Sequence, residues 1–82
     1  MFIMNITRHA LERMAERGFT PEMLVALMNG KYVIKSSLQG RFIVIGQVDG
    51  NIWAVVLDSD FYTVITVRRA HKDEETLWTL RY

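Results

Sequence analysis

The spacing of apolar residues changes character once along this chain, at Gly30-Lys31, and that change limits the fold to helices first and strands afterwards. Before it, Thr7 can cap a helix in which Ala10, Leu11, Met14 and Ala15 recur at helical spacing until Gly18 stops it. Thr20-Pro21-Glu22 gives a second start, with threonine at the cap, proline in the first turn and an early carboxylate; Met23, Leu24, Leu27 and Met28 carry that helix to Gly30. After Gly30 the pattern is β-branched and aromatic runs broken by turn residues: 32–36, 41–48, 51–58 and 61–69. Asp49-Gly50 is a tight-turn pair and Asp58-Ser59-Asp60 a weaker one, so consecutive strands should pair as hairpins. The expected fold is α+β: one domain over residues 1–82, with two N-terminal helices packed on a four-stranded antiparallel sheet. Residues 71–82 read equally as helix, fifth strand or loose tail.

Several strands are apolar on both faces, as in Phe42-Ile43-Val44-Ile45 and Ile52-Trp53-Ala54-Val55-Val56. The helices can cover one face. The other requires the Thr76-Leu77-Trp78-Thr79-Leu80 segment or a partner. A chain of 82 residues builds only one core, so a second copy is a natural expectation. The absence of cysteine excludes disulfide and thiolate chemistry, and two histidines are too few for a structural zinc site; no metal or cofactor is expected. The apolar opening Met1–Ile6 is too short for a membrane span and lacks the features of a signal peptide, which places the protein in the cytoplasm with no membrane partner.

A formal charge of +1 does not announce a nucleic-acid binder, so the distribution of charge must make the case. His9, Arg13 and Arg17 stand four apart and form one stripe on the first helix, a geometry suited to a shared anionic ligand. On the last strand Arg69 alternates with Arg68, placing Arg69 with Val67 and His71 on one face and Arg68 with Thr66 on the other; only one set can join the helix stripe. Imidazoles and guanidiniums without paired carboxylates suit metal-independent cleavage of RNA, which carries its own nucleophile. One histidine can take the 2′-hydroxyl proton, a second acid can protonate the leaving oxygen, and arginines can stabilise phosphoryl charge. His9 and His71 are the natural pair. Arg17, Arg68 and Lys72 are candidates to hold the RNA; Tyr32, Phe42, Trp53, Phe61 and Tyr62 could stack on bases, but most of these aromatics suit a core better and none is assigned as a base reader. Each residue also has a plainer reading. Arg13 and Arg17 can pair with Glu12 or Glu16 on a solvated helix face, Thr66 can be an ordinary strand residue, and the arginines a charged sheet end.

The segment His9-Ala10-Leu11-Glu12-Arg13-Met14-Ala15-Glu16-Arg17-Gly18, followed by the capped Thr20-Pro21-Glu22 helix, the Asn29-Gly30 stop and the late Val64-Ile65-Thr66-Val67 strand, resembles the small bacterial toxins of the RelE and BrnT type. It is similar in particular to a branch that opens with a His-Ala-x-x-Arg-Met-x-x-Arg-Gly helix. The ending from Ile65 to Glu75 also looks like the Ser-x-Arg-x-Ala-x-x-x-Glu close of BrnT-like toxins, with Thr66 for the serine and His71 where threonine is usual. The resemblance implies a compact ribonuclease fold acting without a metal on RNA, free or as ribosome-bound mRNA, and a cognate antitoxin that masks the site. It carries site roles to His9, Arg13, Thr66, Arg68 and Arg69. It also admits an inactive or regulatory binding module of the same fold.

Overall fold

The computed structural model describes residues 4–82 and is α+β, with three helices and a five-stranded mixed sheet. In chain order the elements are β1 (Asn5–Ile6), α1 (Arg8–Arg17), α2 (Pro21–Asn29), β2 (Tyr32–Ser36), β3 (Phe42–Val48), β4 (Asn51–Leu57), β5 (Thr63–Arg69) and α3 (Lys72–Arg81). The sheet order is β1-β5-β4-β3-β2. Two elements go beyond the expected two helices and four antiparallel strands. β1 pairs in parallel with the start of β5, Asn5 with Thr63 and Ile6 with Val64, and the C-terminal segment is a helix. The first three residues of the apolar opening lie outside the described residues.

Threonine starts both N-terminal helices. Thr7 Oγ1 accepts from the Ala10 amide at 3.1 Å, and Thr20 Oγ1 from the Met23 amide at 3.1 Å, each meeting one of the donors a helix leaves unpaired at its first turn. Gly18 closes α1 in the left-handed region, φ 69°, which a side chain resists. The β3–β4 hairpin turns on Asp49 and Gly50, both with positive φ, as that residue pair predicts. The last strand starts later than its sequence suggests, at Thr63, because Phe61 takes a positive φ within the β4–β5 turn.

The two sheet faces have different covers. α1 packs on β5 and α2 on β3, enclosing Ala10, Met14, Phe19, Leu24, Leu27, Val44, Val55, Leu57, Val64 and Val67. Phe19 meets Trp53 with ring centroids 4.8 Å apart, an aromatic pair of the kind worth about 0.5–1.5 kcal/mol beyond area burial. Leu11 departs from its expected place in this core: it is 50% exposed, because Ala10 and Met14 form the stripe that faces the sheet. α3 lies across the opposite face, over β2, β3 and β4, where Ile45 and Ala54 are fully buried. It supplies the cover that the two-sided apolar strands require.

A bulge makes β5 serve both faces. Val56 pairs with Thr66 but Leu57 pairs with Val64, so Ile65 is an extra residue; Val64 and Val67 can then both enter the α1 side, which strict alternation forbids.

Candidate functional site

α1 is laid along β5 where β1 runs out. Among the described residues the outer edge of β5 has no strand partner beyond Val64, and side chains from α1 take that role. Thr7 Oγ1 donates to the Ile65 carbonyl at 3.3 Å and Arg17 Nε donates to the Val67 carbonyl at 3.1 Å. The helix is thus tied to the edge at both ends, an arrangement that also covers backbone groups an open edge would offer to another chain.

His9, Arg13 and Arg17 occupy one stripe of this helix. Successive members stand about 5–6 Å apart at their Cβ atoms. His9 is exposed. Arg13 is half-buried; it donates to Glu16 at 2.6 Å, while its Nε is buried with no acceptor among the described residues. That pairing is the plainer alternative foreseen for Arg13. Arg17 is exposed and, among the described residues, has no carboxylate within ion-pair distance.

Arg69 completes the α1 side. It pairs across the sheet with Trp53, so its side chain stands on the face that carries Phe19 and α1. Its guanidinium carbon lies 5.3 Å from the centre of the Trp53 ring, and Nη2 donates to Asn51 Oδ1 at 3.2 Å. Val67, whose carbonyl receives Arg17, is two residues away along the strand, about 6.6 Å. Two guanidiniums that have no carboxylate partner among the described residues therefore share one end of β5.

The remaining candidates lie across the sheet. Thr66 and Arg68 alternate onto the α3 side, and Arg68 is committed there: its Nη1 and Nη2 donate to Glu74 Oε1 and Oε2 at 2.7 and 2.9 Å, a two-point pair. Glu74 is 1% exposed. Burial alone would raise its carboxyl, but the Arg68 hydrogen bonds, the His71 amide and the charges of Arg68 and His71 outweigh it and hold the group below the usual carboxylate range. The same contact, above the cost of burial, holds the Arg68 guanidinium more firmly protonated. Arg68 thus supports the attachment of α3.

His71 does not join His9. The chain leaves β5 at Ala70 and His71 caps α3, where its amide donates to Glu74 Oε1 at 2.8 Å. His9 sits beside Thr7, whose hydroxyl meets Ile65; from Ile65 to Arg69 alone the strand runs about 13 Å before the turn toward the other face. The expectation that His71 shares a face with Arg69 fails because that alternation ends with the strand. Lys72, the first residue of α3, is exposed. The α1 side thus carries His9, Arg13, Arg17 and Arg69, the α3 side Thr66 and Arg68, and the turn into α3 His71 and Lys72.

The residue that sequence reasoning missed is Asn51, the strand-start partner of Arg69. Its signal was weak: asparagine after Asp49-Gly50 reads as turn chemistry. Among the described residues no group of three or more histidine and carboxylate side chains could hold a metal ion, and no helix is long and apolar enough to cross a membrane. No family model, curated protein or solved structure matches the chain.

Proposed function

We propose that the protein acts on RNA as a metal-independent endoribonuclease of the toxin kind, through the α1 side of the sheet. The observation that carries this reading is the placement of the un-neutralised Arg17 and Arg69 guanidiniums at one end of β5, on the side of the helix that bears His9 and Arg13. Arg13, one turn from His9, would engage the scissile phosphodiester, while Arg17, two turns or about 12 Å from His9, and Arg69 would hold the flanking nucleotides. His9 would take the 2′-hydroxyl proton as that oxygen forms its bond to phosphorus; the bond from phosphorus to the 5′-oxygen breaks, and that oxygen is protonated from solvent, leaving a cyclic phosphate. An antitoxin covering α1 would silence it.

A second reading, an RNA-binding module without catalysis, is favoured by one observation: His71 sits at the cap of α3 and leaves His9 without the second histidine expected beside it. Labelled RNA incubated with purified protein in EDTA separates the two. Cleavage by wild type and its loss in a folded His9→Ala variant support the ribonuclease. Intact RNA that is nonetheless bound, with loss of binding in Arg17→Ala, supports the module. RNA neither cut nor bound overturns both.

A further inference from the structure

Arg69 is exposed and yet held from two directions, by Trp53 beneath it and by Asn51 at its edge. Its floor is rigid. Trp53 is 4% exposed and meets Phe19 in the core. Its indole N–H is buried with no acceptor among the described residues, and the ring is held by packing and by the guanidinium above it. A long flexible side chain has thereby been given one resting place with its outer side open to solvent. Arginine has five N–H donors, of which Asn51 uses one, and a planar face that stacks on flat rings.

The neighbourhood selects the kind of flat ring. Arg17 lies along the same strand end, two residues from Arg69 through its bond to Val67, and neither cation is neutralised by a carboxylate. A partner made only of aromatic rings would leave those charges unmatched; one that alternates planar rings with phosphates matches both. Building on the RNA reading above, we infer that Arg69, laid on Trp53 and pinned by Asn51, is a stacking platform for one nucleobase of single-stranded RNA, with Arg17 receiving the adjoining phosphate. Bases stack on arginine planes in this way when they are splayed out of a strand. Arg69 then selects unpaired RNA, since a base in a duplex presents no free face.

Fluorescence reads this directly. The chain has two tryptophans, so Trp78→Phe leaves Trp53 as the only reporter. In that background the probes are a short 2′-O-methyl single-stranded RNA, which cannot be cut through its 2′ position, adenosine monophosphate, and pyrophosphate, which carries charge without a base. The RNA and the nucleotide should change Trp53 emission and pyrophosphate should not. Arg69→Lys, which keeps the charge and loses the plane, should bind the RNA about tenfold more weakly by anisotropy, within the cost of losing one stacked base. Pyrophosphate binding should weaken far less than RNA binding, since the charge is kept, with circular dichroism showing the variant folded. If Arg69→Lys binds the RNA as tightly as its parent, the platform is overturned and the RNA reading stands. If the nucleotide binds with a Trp53 signal but the RNA does not bind, the platform stands and the RNA reading falls. No binding by either overturns both.

Discussion

At Gly46 the backbone lies between Tyr32 and Trp53 on neighbouring strands, and Leu27 descends from α2 to the point where a side chain would begin: a Cβ there would stand 2.8 Å from Leu27 Cγ. Glycine is needed at this position for closeness, since its φ is ordinary. Gly46→Ala should therefore lower stability by about 1–3 kcal/mol, the usual cost of overpacking a core. Leu27 is 1% exposed and cannot swing into solvent, so the strain has one identifiable source. A double-mutant cycle checks this by urea denaturation: the Gly46→Ala loss should be much smaller when Leu27 is already alanine.

Among the elements, α1 and α3 are attached by opposite means. α1 is tied to backbone carbonyls of the β5 edge, at one end by Arg17 and at the other by a neutral hydroxyl used twice, since Thr7 both caps the helix and reaches that edge. Thr7→Ala should cost about 1–2 kcal/mol and Thr7→Ser very little, measured as shifts in the denaturation midpoint. α3 depends on charge. Glu74 titrates below its ordinary range in the folded protein, so its contribution is present above the unfolded glutamate value, about 4.3, and is lost as pH falls through the lower folded value. Stability should fall on acidification toward pH 3, and Glu74→Gln should flatten that fall while lowering stability at pH 7; Glu74→Ala, which also removes the acceptor for the His71 amide, should cost about 3 kcal/mol. Asp60 and Asp73 shift in the same direction, Asp60 held down first by the Thr63 amide and Asp73 by Lys35, but both are on the surface. The caps of α1 and α2 were legible in Thr7 and Thr20 because threonine there has few other uses. The start of α3 was not, since a histidine stands at its cap; the available signal was the acidic run Asp73-Glu74-Glu75, a first-turn pattern. Two residues of β1 carry no pattern at all, and their pairing depends on contact with Thr63 and Val64.

For the molecule as a whole, sequence alternation could say that Arg68 and Arg69 diverge but not which of them meets α1. That choice follows from the bulge at Ile65 and from the return of the chain as α3, both products of packing. The tie between α1 and β5 also joins residues 58 positions apart at Thr7 and Ile65, whereas the β3–β4 hairpin closes on its own two-residue turn. Contacts so distant in sequence form after local ones, because the chain between them must first be ordered. Thr7→Ala should then speed unfolding and leave the folding rate nearly unchanged, which stopped-flow chevrons would show, whereas a substitution at Gly50 should slow folding. During synthesis the order of appearance is the reverse of the order of docking: α1 leaves the ribosome first but cannot settle until β5 has followed it. Ala10, Met14 and Phe19 stay uncovered until β5 has followed, so over that interval the nascent chain carries exposed apolar surface of the kind chaperones shield, and the docking of α1 waits for β5.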